Sequence, residues 1–129
     1  MPALFLNFMS NLQLSLKKKW FDLTKSGIKT EDYREINYYW TKRLTITKID
    51  WDTPKEICEQ IVSDFNNGTC TPLFKKFDSN TMTLGYPKST DSERILKLEH
   101  KGIEIRTGNP EWGAEPNKLY FVILHGRFF

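Results

Sequence analysis

Apolar and polar residues alternate strictly over Leu12-Gln13-Leu14-Ser15-Leu16, the period of a strand with one buried face. The period then changes. Over residues 17–26, Trp20, Phe21 and Leu23 form an apolar face, with Lys18, Lys19, Asp22 and Lys25 elsewhere. Gly27 suits the C-terminal end of a short helix there, and Lys25 is well placed for the helix dipole. Residues 30–36 read as a second strand, unusually charged for a core element. Residues 38–44 suit a short helix or turn carrying aromatics and two cations, and residues 44–49 a brief strand. A longer helix starts near Pro54, with Thr53 as cap, Pro54 in the first helical position and Glu56 behind it. Its apolar stripe is Ile57, Ile61, Val62 and Phe65, and Asn66-Asn67-Gly68 ends it. Cys58 beside the stripe reads as packing rather than chemistry.

The second half of the chain is richer in strands. Residues 69–78 read as irregular, 81–86 as a strand and 87–93 as a polar loop. Residues 94–106 alternate in two phases around Lys101-Gly102, which predicts either a hairpin or one long bulged strand. Leu119-Tyr120-Phe121-Val122-Ile123-Leu124 is continuously apolar and β-prone, as a central strand should be. Short strands with helices inserted early predict an α+β, barrel-like domain. No repeat or low-complexity segment interrupts it. The expected organisation is an N-terminal extension over residues 1–11, with Met9 as an alternative start, and a single domain over 12–129.

Composition narrows the function classes. The chain has 129 residues, the size of one domain with a real core. Aromatics make up 14% of it, enough for some to line a concave or stacking surface as well as the core. The net charge of +3 suits a polyanionic ligand but is far below that of a dedicated duplex binder. Cys58 and Cys70 form no metal-type spacing, and His100 and His125 are isolated. No metal site and no cofactor are therefore expected, the cysteines read as free thiols, and the histidines read as non-catalytic. The apolar start at residues 1–9 lacks a basic leading segment and a cleavage site, and it is far too short to span a membrane. A cytoplasmic protein without membrane attachment is the expectation.

Two segments carry the candidate chemistry. In Gly27-Ile28-Lys29-Thr30-Glu31-Asp32-Tyr33-Arg34, an ammonium and a carboxylate held out of water suit acid/base work on an amide or phosphodiester, with Lys29 and Asp32 as the catalytic pair. Strand alternation alone puts Lys29 with Glu31 and Tyr33, and Asp32 with Thr30 and Arg34. Arg34 suits bidentate phosphate binding. The competing reading is an ion-pair network that only fixes geometry. In Gly108-Asn109-Pro110-Glu111-Trp112-Gly113-Ala114, Trp112 either stacks on a base, with Glu111 or Asn109 bonding the base edge, or plugs the core. Trp40 and Arg43 offer another wall, and Trp20 and Thr30 complete the candidate ligand-binding set. Lys17, Lys18 and Lys19 read either as a phosphate-facing patch or as a solvated helix start.

Gly27-x-Lys29-x-x-Asp32-x-Arg34 resembles the GxKxxExR signature of the ASCH domains, relatives of the PUA domain. Leu14-Ser15-Leu16, Trp20-Phe21, Trp40-x-x-Arg43-Leu44, Pro110-Glu111-Trp112-Gly113-Ala114 and Tyr120-Phe121-Val122-Ile123 resemble phage- and bacteria-type members in the same order. The resemblance implies a PUA-like β pseudo-barrel of about six strands with flanking short helices. It also implies a cleft facing RNA or a modified nucleoside, and a bend after Gly27 that returns Lys29 to the side of Asp32 and Arg34. Some relatives are N4-acetylcytidine amidohydrolases, and ribonuclease activity is known for others. In the amidohydrolases a threonine nucleophile occupies the position of Asp32, so their mechanism does not carry over. The resulting expectation is an RNA- or nucleoside-binding protein. Its alternatives are a small hydrolase using Lys29 and Asp32 on an acylated nucleoside or RNA, and a non-enzymatic partner-binding protein of a mobile element.

Overall fold

The computed structural model describes residues 10–129, so most of the expected N-terminal extension lies outside the described residues. The fold is α+β. Strand β1 (Asn11–Leu16) leads into helix α1 (Lys18–Lys25) and strand β2 (Glu31–Arg34), followed by helices α2 (Tyr38–Leu44) and α3 (Lys55–Asn66). Strands β3 (Ser79–Leu84), β4 (Ile95–Thr107) and β5 (Leu119–Phe128) complete a five-stranded sheet in the order β1-β3-β4-β5-β2. Short 3-10 turns at Ser92–Arg94 and Pro110–Trp112 precede β4 and β5 respectively.

By internal packing the chain forms two compact units. The first comprises the described residues up to Asp32, Lys76–Gly102 and Ile123–Phe129. In β1 the predicted alternation is exact: Leu12, Leu14 and Leu16 are buried and their neighbours exposed. β1 runs parallel to β3, setting Leu12 beside Asn80 and Leu14 beside Met82, and β3 runs antiparallel to β4 with Met82 opposite Leu96. A parallel pair needs a long crossover, and residues 17–78 supply it. α1 lays Phe21 and Thr24 into this core, where burying the Phe21 ring contributes about 1.5–3 kcal/mol.

The second unit comprises Tyr33–Lys75 and Ile103–Val122. Asn37 opens α2 by accepting a hydrogen bond from the Trp40 N–H at 2.9 Å, a side-chain N-cap. The Phe121 ring meets Phe65 of α3 at 6.4 Å and Phe74 at 6.0 Å, both edge-on.

The fold corrects some expectations and meets others. Residues 44–49 form no strand. Thr45 makes a single bridge to Phe74, while the Thr45 hydroxyl bonds to that of Thr47 at 2.8 Å, so the segment turns on itself. With that strand gone, five strands are present among the described residues rather than about six. Thr53 does not cap α3, because its hydroxyl is engaged with Asp50, and Pro54 takes the cap position instead. Ile57 is half exposed and Cys58 beside it is buried, while Phe65 is buried and Ile61 and Val62 are half-buried as the stripe requires. Residues 94–106 resolve to one long strand, β4, rather than a hairpin. Cys58 and Cys70 are both free thiols. No helix among the described residues is long and apolar enough to cross a membrane.

Candidate functional site

The turn out of α1 decides where the first cluster forms. Gly27 takes a positive φ of 84°, which glycine adopts without strain, and the amides of Ile28 and Lys29 both bond to the Leu23 carbonyl, at 3.1 and 3.0 Å. This tight exit inverts the usual hydropathy rule, leaving Ile28 59% exposed and Lys29 only 2% exposed. The buried ammonium donates to the Glu31 carbonyl at 2.6 Å and to Asp32 Oδ1 at 3.2 Å. Lys29 thus lies on the side of Asp32, as the bend required. Both side chains are sealed, at 1% and 7% exposure. Burying such a pair repays its desolvation only when further hydrogen bonds complete each partner.

Two histidines read as isolated in the sequence join this region through Asn80, which is fully buried in β3. Asn80 Nδ2 lies 3.3 Å from the Leu124 carbonyl and 2.8 Å from His125 Nδ1, while its Oδ1 lies 2.7 Å from His100 Nδ1. An amide nitrogen only donates, so His125 accepts at Nδ1 and carries its proton on Nε2, whereas His100 donates from Nδ1. Burial pushes the His125 pKa down to about 4; the Asp32 carboxylate opposes the shift and the Lys29 ammonium adds to it. Burial also lowers the pKa of His100, against the pull of Asp78. Both rings are therefore neutral near pH 7. A small cavity of about 90 Å³ lies beside Lys29, Thr30 and His125. The exposed Thr30 also accepts the His125 amide on its carbonyl at 3.1 Å. On α1, Lys19 holds its ammonium 4.9 Å from the centre of the Trp20 ring.

The second cluster belongs to the other unit. Arg34, on β2, places its guanidinium 4.9 Å from the Trp40 ring centre, and Arg43, one turn along α2, lies 5.4 Å from the same ring. Arg43 also donates to the Tyr39 hydroxyl at 2.8 Å and sits 6.0 Å from that ring. Tyr39 meets Trp40 edge-on at 5.0 Å and is 57% exposed. Two guanidinium groups on one indole, beside an outward phenol, join a positive field to a flat apolar face. Lys42 on the same helix is exposed.

The 108–114 loop is anchored by the residue between Asp32 and Arg34. The Tyr33 hydroxyl accepts a hydrogen bond from the Asn109 N–H at 2.8 Å, and its ring lies 5.7 Å from Tyr120. Asn109 Oδ1 accepts the Glu111 N–H at 2.9 Å, capping the Pro110–Trp112 turn, and Gly113 closes it at φ 99°. Trp112 is half-buried and Glu111 exposed. The chain matches no protein-family model, no curated protein and no solved structure.

Of the residues singled out from sequence, the structure joins Lys29 to Asp32, Arg34 to Trp40 and Arg43, and Asn109 to Glu111 within one turn. Tyr39 and Asn80 were not singled out from sequence, and Tyr33 and His125 were named there without a part in binding. The signal for Asn80 was present in the sequence: it shares the phase of core-facing Met82, where a polar side chain must find partners. Among the described residues no group of three or more His, Cys, Asp or Glu is placed to hold a metal ion.

Proposed function

We propose that this protein binds single-stranded RNA or a nucleoside, and that the surface formed by Arg34, Tyr39, Trp40 and Arg43 makes the contact. The observation that carries this reading is the pair of guanidinium groups gathered on the Trp40 indole beside the exposed Tyr39. Single-stranded nucleic acid is held by aromatic faces on which bases stack and by cations that follow the phosphates, and this cluster supplies both within a few residues. A PUA-like barrel of ASCH type, working in the cytoplasm, belongs to the same proposal. Its support is the ordered set of motifs and the pairing of Lys29 with Asp32.

Within this proposal Lys29 and Asp32 hold the chain in place rather than act on a substrate. Their near-complete burial favours that role over acid/base chemistry, for which a group must come within hydrogen-bond reach of the reacting atom.

The test is fluorescence anisotropy with a labelled, mixed-sequence single-stranded RNA over a salt series. Affinity should fall log-linearly with salt. Trp40→Ala should weaken binding by roughly tenfold, within the 1–3 kcal/mol per stacked base seen elsewhere. Absence of saturable binding at low salt, or identical affinities for the wild type and Arg34→Ala/Arg43→Ala, would sink the reading.

A further inference from the structure

In the second unit, the start of α2, the Asp50–Thr53 turn and one face of α3 surround a concavity of about 720 Å³. That volume falls within the range of small-molecule sites. Its aromatic walls are Tyr38, 40% exposed, and Trp51, 89% exposed, and Cys58 and Val62 contribute apolar surface from α3. The exposure of Trp51 is fixed by its turn. The Thr53 amide bonds to the Asp50 carbonyl at 3.1 Å, the Asp50 amide to the Thr53 hydroxyl at 3.0 Å, and the Asp52 amide to Asp50 Oδ1 at 3.0 Å. A turn tied three ways holds the indole against water, leaving most of a large apolar ring uncovered.

The polar groups of this concavity specify what covers it. Lys55 is matched by Glu59 at 3.7 Å, so the Asp50 carboxylate leaves the lining without positive excess. Asn66 donates its amide protons to the carbonyls of Ile36 and Val62, at 3.0 and 3.2 Å, which leaves its Oδ1 as an acceptor. The lining is thus apolar and aromatic, and its two carboxylates, Asp50 and Glu59, outnumber its one ammonium, Lys55, which disfavours a phosphate. We propose that this concavity is a binding site for a planar heterocycle that carries N–H donors and no phosphate, an aminopurine- or aminopyrimidine-like ring stacked on Trp51. The inference goes beyond the RNA reading and shares no residue with the arginine cluster.

Trp51 reports occupancy directly. Tryptophan emission of the full chain is titrated with adenosine, cytidine and guanosine, with purine riboside as the analogue lacking the amino group, and with the matching 5′-monophosphates. At least one amino nucleoside should quench saturably, its monophosphate should bind about tenfold more weakly, and Asp50→Asn should narrow that difference. Trp51→Ala should abolish the signal; being on the surface, it should leave thermal unfolding and RNA affinity unchanged. The proposal is overturned if no nucleoside gives saturable quenching up to millimolar concentration. It is equally overturned if monophosphates bind as tightly as nucleosides, if purine riboside binds as tightly as adenosine where adenosine is the ligand, or if Trp51 emission follows protein concentration, which marks a second copy of the chain as the occupant. RNA binding lost in Arg34→Ala/Arg43→Ala but kept in Trp51→Ala separates failure of this site from failure of the RNA reading.

Discussion

Tyr33 and Asn109, far apart in the chain, meet in a hydrogen bond of 2.8 Å from the Asn109 amide to the Tyr33 phenol oxygen. Gly108 lets the two segments come this close. A Cβ built there would lie 2.7 Å from both the Tyr33 ring and the Ala114 Cβ, inside any tolerable contact. Tyr33→Phe keeps the packing but leaves the amide without its acceptor, so it should destabilise the fold by about 1–3 kcal/mol. Gly108→Ala should cost more, because ring and backbone must both shift. Urea denaturation of the two variants checks this ranking, and a Gly108→Ala protein as stable as wild type contradicts the close packing.

Removing one partner of the Lys29–Asp32 pair leaves a charge buried without its counterion. Lys29→Met or Asp32→Asn alone should cost about 3–5 kcal/mol. Lys29→Met/Asp32→Leu should cost less than the sum of the single changes, because it removes both charges together. A double-mutant cycle by chemical denaturation measures the coupling. Strict additivity would mean that the two groups do not support one another.

Acid should act on this fold through His125. Its folded pKa of about 4 lies below the ordinary 6.5, so the folded chain keeps the ring neutral while the unfolded chain takes up a proton below pH 6.5. Stability from this group is complete above pH 6.5 and declines as the pH falls toward about 4, where the loss levels off. At 1.36 kcal/mol per pH unit the gap amounts to roughly 3 kcal/mol. His100 acts in the same direction, since burial depresses its pKa as well. Unfolding free energies at pH 7 and pH 5 should differ by more in wild type than in His125→Gln. An unchanged pH dependence in the variant would assign the acid sensitivity to other groups.

How much of this was legible depends on the range of the interaction. The β1 alternation and the α1 exit at Gly27 rest on neighbours within a few residues, and the sequence predicts both correctly. Residues 44–49 misled because Leu44 and Ile46 alternate as in a strand, yet Ile46 is 54% exposed and the segment meets Phe74 at a single bridge. Periodicity reports a preference for burial, not whether a partner strand arrives. The Asn80–His125–His100 chain joins three strands across gaps of 20 and 45 residues, and no local pattern records that. Strand alternation separates Lys29 from Asp32, and only the bend that the resemblance implies pairs them; how completely the fold seals them follows from the tertiary packing around them.

The arginine cluster predicts that charge and geometry separate on substitution. Arg43 touches Trp40 and Tyr39 and bonds to the Tyr39 hydroxyl, so lysine would keep the positive charge but lose the planar stack and the forked donor set. If Arg43 also meets phosphate, Arg43→Ala should lower both the affinity for single-stranded RNA and the steepness of its salt dependence, by about one counterion. Arg43→Lys should then lower affinity while leaving the salt slope near that of wild type. Tyr39→Phe should behave like Arg43→Lys, because it removes the hydrogen bond that orients the guanidinium and no charge. Measuring the log–log salt slopes of the three variants together decides the matter. Equal slopes for Arg43→Ala and wild type would mean that Arg43 orders the aromatic surface without reaching the backbone of the ligand.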